Sequence, residues 1–350
     1  MESEKNMPML ELLLRPAFCV TDGKITGINR AASHLLLSEG AEIMPLLATG
    51  KEEYQAFETG CLYLSLMLGS QPVGATVVCG DGCHLFLLDQ PSDTAELRAF
   101  SLAAQQLRGP LAGINMISGQ LNAAAPEQAA QLNRRMYQLL RIVSNMSDAV
   151  QYCEAAEPQL EGVELCAFLE ELLNKTALQL ENANIRLTYI LPDAPVYTLV
   201  DRDKVERAVY NMLCNAAMHT VPGGCIRFEL ACHGRLYLSV TDEGNGLNTV
   251  PPGDVYTRYL RTPSVTDSQE GIGLGMVLVR ATAALHGGTV LIDHPHAQGT
   301  RVTMTLPLRK KGSMQVRSPM LRIDYAGERD HGLQELADVL PASLYAPDQL

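Results

Sequence analysis

Asn211 and Asn215 stand four residues apart in "ERAVYNMLCNAAMHT". Residues at i and i+4 share one face of a helix. An amide oxygen is a hard, neutral ligand that suits Mg²⁺, which takes oxygen donors and keeps several waters. Taken alone, the pair also fits exposed positions or helix caps. Asp242-x-Gly244-x-Gly246 closes an apolar strand in "VTDEGNGL". A carboxylate there can accept a hydrogen bond from the exocyclic amine of adenine, and the glycines let the chain turn and a ring approach the backbone. Taken alone, it is also an ordinary turn. "GIGLGMVLVRATAALHGG" sets Gly271, Gly273 and Gly275 before a helix, where backbone N–H groups can cradle phosphate. A glycine cluster by itself is a weak signal. The fourth motif is Gly299-Thr300, turning into a last strand in "AQGTRVTMTLP".

These motifs need a scaffold. Periodicity predicts helices near Leu165–Asn182, Asp201–Thr220 and Gly273–His286,. Strands are predicted near Ile185–Leu191, Ile226–Ala231, Leu236–Thr241, Thr289–Ile292 and Arg301–Leu306. That is an α/β sandwich on a largely antiparallel or mixed sheet.

Upstream, from Ala95 to Glu154, the pattern is helical. Leu97, Phe100, Ala104, Leu107, Leu111, Ile114, Ser118 and Leu121 alternate spacings of three and four, and Ala129, Leu132, Met136, Leu139, Val143, Met146, Val150 and Cys153 repeat the rhythm after Pro126. Pro126 suits a helix start. Two such stripes form a helical hairpin that needs a second chain to bury both, as a four-helix bundle.

From Met7 to about Gln90, "AFCVTDGKITGINRAASHLL" reads as strand, Asp22-Gly23 turn, strand, and a helix from Ala31. Leu62, Leu64, Leu66 and Leu68 alternate along a strand, and "VGATVVCGDGCHLFLL" reads as a hairpin,. This order resembles a PAS sensory domain, which would serve either as a sensor of a small molecule that the sequence does not name or for dimer contacts alone. After Leu308 comes "RKKGS", then a tail that could add a strand and a helix.

The order asparagine helix, Asp-Gly loop, glycine cluster and Gly-Thr strand resembles the ATP-binding domain of sensor histidine kinases. "VYTRYLRT", with Arg261, resembles that family's aromatic–arginine box in a worn form. The resemblance implies ATP and Mg²⁺ as ligands, with Asn215 on the metal and Asp242 reading adenine. Gly271, Gly273, Leu274 and Gly275 would lie around the phosphates. Asn211, His219, Gly244, Gly246, Arg261 and Thr300 would line the remainder. Many ATP-hydrolysing relatives carry a glutamate at the position of Asn211. An amide is no base, so fast hydrolysis is not expected. The family's frequent lysine three residues after the second asparagine is Met218 here. Losing a charge-assisted contact of about 1.5–3 kcal/mol predicts roughly tenfold or more weaker nucleotide binding.

The family's phosphorylation helix reads His-Glu-Leu-Arg-Thr/Asn-Pro-Leu. Here it reads Gln105-Gln106-Leu107-Arg108-Gly109-Pro110-Leu111. Leu107, Arg108, Pro110 and Leu111 match, whereas Gln105 replaces the phosphoacceptor, Gln106 the neighbouring acid and Gly109 the Thr/Asn. A carboxamide nitrogen is delocalised and is no substitute for a neutral imidazole nucleophile. No histidine lies between His84 and His219.

The expected fold class is therefore multidomain α+β, with a PAS-like sensor domain at 1–91, a two-helix dimerisation hairpin at 92–156, an α/β-sandwich ATPase domain at 157–308 and a tail at 309–350. The expected function is ATP-binding signal transduction without self-phosphorylation on the hairpin, as a homodimer acting by conformation or with a response regulator or an intact kinase. The alternatives are phosphorylation of a histidine on another protein or, against the heptad hairpin, a Ser/Thr kinase of the anti-sigma type.

A net charge of −12 on 350 residues argues against a nucleic-acid surface. No signal peptide pattern and no run of eighteen apolar residues lead to a cytoplasmic expectation. The nine cysteines lack regular spacing and read as small buried hydrophobes. Cys79-Gly-Asp-Gly-Cys83 reads as a turn rather than a metal site.

Overall fold

The computed structural model describes residues 10–11, 13, 15–80, 82–89, 99, 102–114, 125–153, 157–244, 274–294, 299–309 and 330–346. Leu97, Phe100, Ser118, Leu121, Gly246, Arg261, Gly271 and Gly273 lie outside them.

Strands β1 (Ala17–Thr21), β2 (Lys24–Ile28), β3 (Cys61–Leu68), β4 (Gln71–Gly80) and β5 (Cys83–Leu88) pair antiparallel in the order β2-β1-β5-β4-β3. Asp22 and Gly23, both at positive φ, make the first turn. The helix expected from Ala31 is only a 3-10 turn, Arg30–Ala32. Asn29 Oδ1 accepts from the N–H groups of Ala17 and Ala32, which ties this turn to β1. Leu35 and Leu37 then reach the core from irregular backbone, so their spacing reflects packing rather than a helix. A short helix α1 (Lys51–Gln55) precedes β3.

Side chains alternate across a strand, and β3 uses both faces. Leu62, Leu64, Leu66 and Leu68 enter the N-terminal core, while Cys61 and Tyr63 enter the core of the second half of the chain. The second half of the chain supplies β6 (Glu161–Glu164), β7 (Arg186–Ile190), β8 (Tyr197–Val200), β9 (Cys225–Cys232), β10 (Arg235–Asp242), β11 (Thr289–Asp293) and β12 (Arg301–Pro307). β6 and β8 form a separate pair that the sequence pattern did not reveal. The others continue the first sheet through β3 in the order β11-β12-β10-β9-β7, giving ten strands, with only β7 and β9 parallel.

At the junction Val290, Leu291 and Ile292 pair with Tyr63, Leu62 and Cys61. Gly60 makes this approach possible. Its φ is 90°, and a Cβ there would stand 2.1 Å from the Ile292 carbonyl, so a side chain is excluded on both counts.

Two helices, α2 (102–114) and α3 (Pro126–Cys153), follow the first sheet. Arg108 Nη2 donates to Ser147 Oγ at 3.0 Å. Ala104 and Leu111 pack with Val143 and Met146.

Helices α4 (Leu165–Glu181), α5 (Arg202–His219) and α6 (Leu274–His286) cover the second half-sheet. Apolar residues spaced at helical intervals, from Leu165 through Phe168, Leu169, Leu172 and Leu173 to Leu180, turn one face of α4 inward,. Glu164 caps α4 by accepting from the Cys166 and Ala167 N–H groups. The tail contributes α7 (His331–Glu335) and a 3-10 turn, Ala342–Tyr345. Of the eight cysteines described, Cys19, Cys61 and Cys214 are buried and the others half-buried, and all are free thiols. Among the described residues, no helix is long and apolar enough to cross a membrane.

Candidate functional site

The site begins on α5. Its N-cap, Asp201, accepts from the Lys204 N–H. The Asp201 N–H in turn donates to His286 Nε2 at 2.9 Å. His286 is buried at the end of α6 and its Nδ1 lies 2.7 Å from the Thr282 carbonyl, which fixes the proton on Nδ1 and leaves Nε2 as the acceptor,. Burial holds this imidazole below its ordinary pKa,. This clamp between α5 and α6 was missed from sequence. Its one signal there is a histidine at a core-facing helical position of "ATAALHGG".

Asn211 is 1% exposed. Its Nδ2 donates to the Arg207 carbonyl at 2.9 Å, and its Oδ1 has no hydrogen-bond partner among the described residues. A buried acceptor without a partner costs about 1–3 kcal/mol and calls for a cause. Oδ1 faces the start of α6: a Cβ at Gly275 would stand 2.6 Å from it. Asn215, one turn on, and Met218 are half-buried, and His219 is exposed.

Asp242 ends β10 and is buried. Its Oδ1 accepts from the Gly244 N–H at 2.9 Å and the Thr300 N–H at 3.3 Å. The Asp242 N–H donates to the Thr300 carbonyl. Burial raises the pKa of Asp242, and the two N–H donors oppose that rise,. Glycine is required on both sides. A Cβ at Gly244 would lie 2.4 Å from the His219 carbonyl, and one at Gly299, where φ is 95°, would lie 2.1 Å from the Asp242 carbonyl.

The structure thus brings Asn211 to Gly275, and Asp242 to Gly244 and Thr300, with the end of α5 beside that turn. Leu274 is buried in an apolar cluster with Ala104, Leu111, Val143 and Met146, so only its backbone is left for a ligand. Gly246, Arg261, Gly271 and Gly273 lie outside the described residues. Gln105, Gln106 and Gly109 are exposed on α2, and the helix continues through Pro110.

Residues 200–310 match the family described as histidine kinase-, DNA gyrase B- and HSP90-like ATPase. The alginate biosynthesis sensor protein KinB of Pseudomonas aeruginosa is 25% identical over 292 residues, covering 80% of this chain and 48% of that protein. Sensor histidine kinase WalK of Bacillus subtilis is 27% identical over 155 residues, 43% of this chain and 25% of its own length. Sensor histidine kinase ZraS of Escherichia coli is 26% identical over 212 residues, 59% of this chain and 44% of its own. The chain therefore spans a quarter to about half of the length of these relatives. Full-length ShkA in complex with AMPPNP has a TM-score of 0.49 at 20% identity, covering 62% of this chain and 47% of that one.

Proposed function

We propose, for a chain that carries a histidine kinase-, DNA gyrase B- and HSP90-like ATPase domain at residues 200–310 and whose relatives include sensor histidine kinases, that it is an ATP-binding signalling protein which does not phosphorylate its own helical hairpin. The observation that carries this reading is the buried Asp242. Two backbone donors hold its Oδ1, so its other oxygen is left to accept from the amine of adenine. Asn215 would hold the magnesium ion, and the carbonyl oxygen of Asn211, one turn before it and orphaned beside Gly275, fits a place in the same site. When bound, Mg·ATP supplies a transferable phosphoryl group. The start of α6 would face its phosphates with backbone N–H groups.

No nucleophile stands on α2. Gln105 and Gln106 offer carboxamides where an imidazole and a carboxylate would be needed. The scaffold residues persist, with Ala104 and Leu111 packed against α3 and Arg108 bonded to Ser147. This supports a role through conformation or a partner kinase. Leu107 and Leu139, each 46% exposed, leave an unpartnered apolar face on the two helices and support a homodimer there. A cavity of about 440 Å³ in the N-terminal sheet, lined among others by Tyr54, Phe57, Cys79 and His84, supports a small-molecule sensor of the PAS type. The retained Asn215, Asp242, Gly275 and Thr300 support a second reading, transfer to a histidine on another protein, with a response regulator downstream. Incubation with γ-labelled ATP separates the two. Acid-labile label appears on neither the purified chain nor an added partner under the first reading, and on the partner under the second. Label mapping to 102–153 contradicts both.

A further inference from the structure

We propose that the C-terminal segment 330–346 is a releasable strap that holds α3 against the ATPase domain. It touches both bodies at once. On the α3 side, Asn133 Nδ2 donates to the Tyr345 carbonyl at 3.0 Å, Arg134 donates to the carbonyls of Ala337 and Asp338, and Gln138 donates to that of Ala337. The Tyr345 ring is fully buried edge-on to Tyr137, with centroids 5.1 Å apart. On the domain side, Asp330 pairs with Lys175 and accepts from Gln179, both on α4, and His331 meets Glu206 on α5.

The middle of the strap is ionic. Glu335 is buried between Arg141 of α3 and Arg207 of α5, at 3.5 Å from each. Asp338 also pairs with Arg141, and Arg207 with Asp148 of α3. One carboxylate therefore bridges the two elements that the strap joins. The fit is incomplete: Arg141 Nε and Glu335 Oε2 are buried without a hydrogen bond. Buried charges held this way depend on both partners, and removing one leaves the other uncompensated. The segment is seated on the domain core by buried Leu336, Ala337, Leu340 and Tyr345, while its grip on α3 runs through Asn133, Arg134, Gln138 and Arg141, so a change in charge at Glu335 and Asp338 loosens that grip. Its release would remove one of the ties between α3 and α5, the helix that carries Asn211 and Asn215, and leave the direct contacts of Arg207 with Asp148 and Ser144. The inference does not depend on nucleotide binding.

The test uses the full chain and its isosteric Glu335→Gln/Asp338→Asn variant, which keeps every apolar strap side chain. Hydrogen exchange is followed at the bonded strap amides Leu336, Val339 and Leu340 and at those of α5. In the wild type the strap amides exchange together and at least tenfold faster than α5. In the variant they gain about a further tenfold while α5 is unchanged. Nitroxides on unnatural residues at exposed Gln131 and Glu181 report the α3-to-domain distance, which broadens in the variant. Strap amides that exchange only with α5, or a distance distribution identical in the two proteins, would overturn the proposal.

Discussion

The carbonyl oxygen of Asn211 and the backbone of Gly275 are packed so closely that a methyl group on Gly275 would stand 2.6 Å from it. The orphaned oxygen and the start of α6 therefore form one site. Gly275→Ala gains about 1 kcal/mol of helix propensity but overpacks a buried contact at a cost of about 1–3 kcal/mol. The expected outcome is a slightly lower melting temperature and about tenfold weaker nucleotide binding. Differential scanning calorimetry and a binding titration check the two parts separately, and unchanged binding would place the oxygen outside the site.

His286 gives the fold a pH dependence with a definite sign. Its folded-state pKa is depressed by burial, with Arg309 and Lys204 acting in the same direction and the Thr282 carbonyl and Asp201 opposing. The neutral ring accepts from the Asp201 N–H, and protonation destroys that acceptor. The unfolded chain takes up the proton near pH 6.5 and the folded chain at lower pH. Stability is thus complete above about pH 6.5 and falls as pH drops below it. Thermal midpoints between pH 7.5 and 5.5 should fall for the wild type and fall less for His286→Gln. His84, also depressed by burial, keeps part of the slope in the variant. Parallel curves for the two proteins would remove His286 from this account.

The dimer reading rests on Leu107 and Leu139. Burying two leucines per chain across an interface stabilises it by about 1.5–3 kcal/mol each. Light scattering on the full chain should give twice the chain mass. Leu107→Glu with Leu139→Glu should shift dissociation by at least about a hundredfold. A wild-type monomer at tens of micromolar would contradict the packing argument.

The helices and strands around Asn211 and Asp242 were legible because amphipathic periods of 3.6 and 2 repeat there over many residues. β6 and β8 were not, since four residues such as Glu161–Glu164 carry too little alternation. The pairing of β3 with β11 was hidden for a different reason. Both faces of β3 are buried, and which edge strand meets it is set by Gly60 and by the opposed Tyr63 and Val290, which lie far apart in the chain. The strap was equally silent. Glu335 reads as a surface acid until Arg141 and Arg207 are found on either side of it. At the site, the Asp-Gly and Gly-Thr motifs pointed to Asp242 and Thr300, whereas the His286 clamp is a tertiary bond between elements that no local motif announces.

The central claim is that Asp242, held by Gly244 and Thr300, reads an adenine. Calorimetric titration of the full chain with a non-hydrolysable ATP analogue and Mg²⁺ tests it directly. One site per chain is predicted. Asp242→Asn should weaken it at least about thirtyfold, because the variant sets an N–H₂ donor against the adenine amine, a loss of about 2 kcal/mol. No heat of binding at millimolar nucleotide, or equal affinity in the two proteins, would contradict the account.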